Sequence, residues 1–120
     1  MTKQEIFDTV AFHLIKQGKK SANDRGICLY RSPGGLKCAV GCLIPDEVYW
    51  PSMEGRSVSR LLGCYDGLKF LRPFKAILND LQQAHDAPTI PKDMVWTDAV
   101  VLRLRKIAEK YNLSTAVLEI

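Results

Sequence analysis

The chain has 120 residues, 47% of them hydrophobic and 25% charged, with a net charge of +4. That length gives one domain, residues 1–120, long enough to bury a core without disulfide staples; no apolar run approaches the ~20 residues of a membrane span. The N-terminus lacks the apolar core of a signal peptide, because Asp8 and Thr9 interrupt Phe7 and Val10, so a cytoplasmic protein with Cys28, Cys38, Cys42 and Cys64 as free thiols is expected.

Thr2-Lys3-Gln4-Glu5 is a capping box, a hydroxyl at the cap with a carboxylate three residues on. Ile6, Phe7, Val10, Ala11 and Leu14 follow at helical spacing, and Gly18 supplies a stop. The first helix is expected over about residues 3–17. Lys19 to Arg25 is polar and cationic. Two β-type runs follow, Ile27–Arg31 and Leu36–Val40, joined by Ser32-Pro33-Gly34-Gly35. Pro then Gly at the two central positions is type II turn chemistry. Symmetric closure pairs Ile27 with Val40, Leu29 with Cys38 and Tyr30 with Lys37. The core face is then Ile27, Leu29, Cys38 and Val40, and the other face holds Cys28, Tyr30, Lys37 and Ala39. A bulge at Gly35 would flip one strand against the other.

Pro45 and Pro51 keep residues 41–50 irregular. A short helix is expected over about 55–62, through Val58, Leu61 and Leu62, with Gly63 as its stop. Asp66-Gly67 is a turn. The next helix starts near Pro73 and turns Phe74, Ile77, Leu78, Leu81 and His85 to one face. Ala87-Pro88-Thr89-Ile90-Pro91 reads as a stiff connector. A helix from about Thr97 to Tyr111 turns Val100, Leu104, Ile107 and Tyr111 inward and carries a basic stripe, Arg103, Lys106 and Lys110. Asn112 can take the left-handed stop, and Ser114 caps a last short helix ending at Ile120. The order gives an α+β class: a small antiparallel β-hairpin or sheet at about 27–40, packed against four to five helices.

The excess positive charge lies in residues 1–40, which hold seven basic and three acidic groups. Arg31 and Lys37 flank the hairpin turn, Tyr30 shares the face of Lys37, Tyr49 and Trp50 follow the Pro45-Asp46-Glu47 turn, and Arg56 and Arg60 stand four apart. Cations with aromatic neighbours suit an anionic nucleotide, the rings stacking on a base and the cations holding phosphate. Tyr30, Arg31, Lys37, Tyr49, Trp50, Arg56 and Arg60 are therefore the candidate ligand-binding residues. No catalytic residue is assigned. Cys42, leaving a strand after Gly41, is a candidate thiol nucleophile with His85 as base. The adjacent Asp86 is expected to point away from His85 along the helix and so not to orient it. The cysteine spacing is not that of a zinc knuckle, so no metal and no cofactor are expected. Asp46 and Glu47 read as turn or cap residues.

Lys37-Cys38-Ala39-Val40-Gly41-Cys42-Leu43-Ile44-Pro45-Asp46-Glu47 followed by Tyr49 resembles a segment shared by small uncharacterised proteins of tailed phages and prophages. Met53-Glu54-Gly55, Leu81-Gln82-Gln83-Ala84-His85-Asp86, Ile107-Ala108 and Tyr111-Asn112-Leu113 fit the same pattern, and the resemblance covers roughly residues 4 to 113. It implies an accessory protein acting inside a bacterial host cell, a class that often antagonises host defence. The expected function is non-enzymatic sequestration of an anionic nucleotide signal by a homo-oligomer. Alternatives are an inhibitor or adaptor that binds a host defence protein through the hairpin and its aromatic flank, and a thiol-dependent enzyme using Cys42 with His85. A nucleic-acid partner is not expected at a charge of +4.

Overall fold

The structure is a computed structural model that describes residues 1–86 and 93–119. The expected connector at 87–91 and the end of the last helix at Ile120 lie outside the described residues. Among the described residues four α-helices carry the fold: α1 (Lys3–Gln17), α2 (Val58–Cys64), α3 (Lys75–Asp86) and α4 (Trp96–Tyr111). Shorter 3-10 segments occupy Gly41–Leu43, Pro51–Met53, Asp66–Phe74 and Ala116–Glu119.

α1 follows its local code. The Glu5 amide donates to Thr2 Oγ1 at 3.1 Å, and the Thr2 amide donates to Glu5 Oε1 at 2.8 Å. Gly18 stops the helix at φ 71°, its amide bonding the Leu14 carbonyl. Ile6, Phe7, Val10, Ala11 and Leu14 are all buried. α4 ends as its sequence dictates, with Asn112 at φ 56° and Val100, Leu104 and Ile107 buried. Two boundaries move. α2 begins at Val58 because Gly55 turns the chain at φ 80° and the Ser57 hydroxyl caps the Arg60 amide; it runs through Gly63 rather than stopping there. α3 begins at Lys75, since Pro73 belongs to the preceding 3-10 run.

α3 lies centrally, packing on α1, α2 and α4, while α1 also packs on α4. Phe7, Leu14, Leu61, Leu78, Leu81 and Leu104 close the core between them. Each such side chain contributes roughly 1.5–3 kcal/mol by leaving water.

The α+β expectation is corrected. Among the described residues there is no strand or sheet; residues 27–40 hold only single bridges, Ala22 with Cys28 and Arg31 with Lys37. The turn itself forms, with the Gly35 amide on the Ser32 carbonyl at 3.2 Å and Gly34 at φ 90°. Gly35 then also takes positive φ, 85°, which adds one residue and shifts the register. Cys38, not Lys37, now stands opposite Tyr30, its amide on the Tyr30 carbonyl. Tyr30 is therefore inside at 7% exposure and Ile27 outside at 56%, the reverse of the symmetric pairing. The ladder stops because Val40 is already α-helical (φ −73°, ψ −36°). Side chains from the helical frame and the 51–57 loop occupy its donors: Glu54 takes the Tyr30 and Arg31 amides, Gln17 takes Lys37, and Gln82 takes Val40. Backbone groups that a sheet would pair are thus satisfied without one.

Candidate functional site

Residues 27–30, the 55–58 loop and one face of α3 enclose a cleft of about 430 Å³, within the range of small-molecule sites. Ile27 and Leu29 form one wall, Arg56 and Val58 the second, and Asn79, Gln83 and Asp86 of α3 the third. Residues 79, 82, 83 and 86 follow the helical repeat, so α3 presents them together. The side chains of Asn79 and Gln83 make no hydrogen bond among the described residues, leaving two amides on the α3 wall with free donors and acceptors.

Beneath the cleft runs a chain of buried polar groups. The Ser21 amide donates to His85 Nε2 at 2.9 Å, and His85 Nδ1 lies 2.8 Å from Asp86 Oδ1. Because an amide can only donate, Nε2 is the acceptor and the ring proton sits on Nδ1, bonded to Asp86. The expectation that Asp86 points away from His85 is corrected: at the helix end the two side chains meet. Gln82 joins them, donating from Nε2 to Asp86 Oδ1 at 2.7 Å while its Oε1 accepts the Val40 amide at 3.0 Å. Trp96 packs edge-on against the imidazole, centroids 5.6 Å apart. Burial pushes the Asp86 carboxyl up, but the hydrogen bonds from His85, Gln82 and Cys28 outweigh it and hold the group below the usual carboxylate range. Burial and the nearby Asp86 push the Cys28 thiol up.

Cys28, His85 and Asp86 offer ligand atoms within 4.8 Å of one another. A metal on Nδ1 of a neutral imidazole requires a proton on Nε2, where the Ser21 amide already points. The triad therefore takes an ion only by breaking that bond. The thiol reading meets a similar obstacle. Cys42 donates to the Ala39 carbonyl at 3.1 Å, and burial pushes its thiol up to about 12, against the pull of Lys37. It borders a second cavity of about 460 Å³ beside Phe12, His13 and Lys16, while His85 has both ring nitrogens engaged elsewhere. Burial also raises the Cys38 thiol.

The residues picked from sequence divide. Tyr30 and Arg56 border the cleft. Arg31, Tyr49 and Lys37 build a structural knot instead, which Tyr30 joins through Glu54 while still bordering the cleft. Arg31 Nη2 donates to the Ile44 carbonyl at 2.7 Å and pairs with Asp46 at 2.8 Å, and its guanidinium lies 4.6 Å from the Tyr49 ring centroid. Lys37 reaches Asp46 at 3.8 Å. The Tyr49 hydroxyl donates to Glu54 and the Tyr30 hydroxyl to the Arg56 carbonyl, each at 2.6 Å. Trp50 is 63% exposed and Arg60 is exposed; both lie outside the cleft lining. Asn79, Gln82 and Gln83 were missed. Their only sequence signal was amides at i, i+3 and i+4 on a helix otherwise read by its apolar face.

No helix among the described residues is long and apolar enough to cross a membrane. No family model, curated protein or solved structure matches this chain.

Proposed function

We propose that the protein is a non-catalytic binding protein that captures a small nucleotide in the cleft between residues 27–30 and α3. The carrying observation is the pair of unengaged amides, Asn79 and Gln83, facing the apolar wall of Ile27 and Leu29. Amide side chains bond base edges through a donor and an acceptor at once, and an aliphatic wall covers a base face. Arg56 borders the same cleft, but its guanidinium donates to the Ser52 carbonyl at 3.0 Å and lies over the Tyr65 ring, so the reading rests on the amides and the aliphatic wall. Binding without chemistry is supported by the groups beneath: the raised thiols of Cys28 and Cys42 are poor nucleophiles, and the His85 ring is engaged at both nitrogens. In this reading the protein acts in the cytoplasm of a bacterial host cell, as a homo-oligomer, and withdraws a nucleotide signal of host defence.

The test is a thermal-shift panel of mononucleotides, cyclic nucleotides and ADP-ribose against wild type, Asn79→Ala and Gln83→Ala. A ligand at about a hundred times its Kd adds roughly 2.7 kcal/mol, a shift of several degrees. The expected result is a shift in wild type that both variants lose while keeping the melting temperature of the unliganded wild type.

A second reading, docking to a host defence protein, is favoured by Trp50. This large side chain is exposed beside the Pro51 turn, and tryptophan is enriched among interface anchors. If no nucleotide shifts the wild type and a host protein co-purifies in a Trp50-dependent way, this reading replaces the first.

A further inference from the structure

Asp86 lines the cleft, and its own network fills only one of its two oxygens. Oδ1 accepts twice, from His85 Nδ1 at 2.8 Å and from Gln82 Nε2 at 2.7 Å, which uses both of its lone pairs. Oδ2 is left with at most the Cys28 thiol, a weak donor that also points to the Asp86 main-chain carbonyl, 3.9 Å away. The side chain keeps 35% exposure. With Oδ1 turned to His85 and Gln82, the part open to the cleft is Oδ2. Burial raises this carboxyl, but the hydrogen bonds from His85, Gln82 and Cys28 outweigh it, so the group is an anion at neutral pH and can only accept. Its two fixed bonds also stop it from swinging away. Gln83, three residues earlier on α3 and also in the cleft lining, is its neighbour on the helix surface. Asn79 stands two turns from Asp86, about 10 Å along the axis, and cannot reach the same ligand group.

We propose that the cleft selects adenine nucleotides, with Gln83 and Asp86 together reading the 6-amino group. The inference rests on the nucleotide reading and names its base. An amide side chain pairs with adenine through both of its atoms, donating to N7 and accepting one N6 hydrogen. The second N6 hydrogen then falls to Asp86 Oδ2. One open carboxylate oxygen beside one open amide thus matches one amino group with two hydrogens. Guanine fails at either edge. Its major-groove edge sets the O6 acceptor against the carboxylate, and its N1–H and N2–H pair calls for two carboxylate oxygens where only one is open. Hypoxanthine carries the same O6. Cytosine offers an amino group, but its single ring covers less of the Ile27 and Leu29 wall than a purine does.

The experiment is calorimetric titration of wild type with AMP, IMP, GMP and CMP, and of Asp86→Asn with AMP and IMP. Wild type is expected to bind AMP at least about tenfold more tightly than each of the other three. Asp86→Asn replaces an acceptor by an amide that can also donate to O6, and is expected to bring AMP and IMP within about twofold of each other. The ratio of the two affinities is the readout, because a loss of packing alone would weaken both ligands alike. If IMP, GMP or CMP binds wild type as tightly as AMP, or if Asp86→Asn binds with the wild-type ratio, adenine selection by Asp86 is wrong while the cleft reading stands. If Asp86→Asn does not fold, the four affinities of wild type decide. If none of the four binds wild type, both readings fail.

Discussion

The Ser21 amide and His85 Nε2, 2.9 Å apart, join the irregular 19–40 segment to the buried end of α3. This contact also fixes the tautomer of the imidazole, because Nε2 must accept and Nδ1 must carry the proton that Asp86 binds. His85→Leu leaves a buried amide and a carboxylate without partners, and is expected to cost about 2–4 kcal/mol in urea unfolding. Imidazole nitrogen spectra should show the proton on Nδ1 and stay unchanged on adding zinc ion. A stable His85→Leu protein, or stoichiometric zinc shifting those resonances, would show that the contact has been misread.

Glu54 plays the matching part for the turn. Its two oxygens accept the Tyr30 amide at 2.7 Å, the Arg31 amide at 3.0 Å and the Tyr49 hydroxyl at 2.6 Å. Glu54→Ala removes all three at once and is expected to lose about 2–4 kcal/mol. Arg31→Ala, which leaves those bonds in place, should cost less. Equal losses from the two variants would mean that the Arg31–Asp46 pair, not Glu54, holds the segment.

Two glycines separate steric from conformational need. A Cβ on Gly41 would collide with the Tyr30 carbonyl oxygen, whereas Gly34 has open space around it and only its φ of 90° to defend. Gly34→Ala should cost about 1–2 kcal/mol, the left-handed penalty. Gly41→Ala should cost more than about 3 kcal/mol or prevent folding, because backbone has to move. Equilibrium unfolding of both variants checks the order, and the reverse order would contradict the packing of residue 41 against Tyr30.

Acid should act through Asp86. Its carboxyl is held below the usual range in the folded state despite burial, by hydrogen bonds from His85, Gln82 and Cys28. A lowered folded pKa gives stability that is complete above the unfolded value of about 3.9 and lost as pH falls through the folded value. The stability advantage of wild type over Asp86→Asn should therefore be full above about pH 5 and shrink below about pH 4. An advantage undiminished at about pH 2 would contradict the assignment.

The helices were legible because their signals are local. The Thr2 box, the apolar spacing of α1 and the Asn112 stop each lie within a turn of the residues they control. The 27–40 segment was not, because its outcome depends on side chains far along the chain. Local β pattern pointed to a hairpin, and a proline-glycine turn does form there. Yet Glu54, Gln17 and Gln82 reach the amides that a ladder would use, and the second positive-φ glycine shifts the register. The site suffered for the same reason. Arg31 and Lys37 looked available, but Asp46 pairs with both. Asn79 and Gln83 gain meaning only when residues 27–30 fold across α3 to face them.

The central claim is that the cleft over α3 is where a nucleotide binds. Titration of isotope-labelled protein with AMP, followed by backbone amide shifts, tests it most directly. The expected result is saturable movement confined to Cys28–Tyr30, Arg56–Val58 and Asn79–Asp86, while Gly34, Lys37 and Trp50 stay still. Saturable shifts centred on the Arg31–Lys37 turn and Trp50, or no saturable shift with AMP, would contradict it.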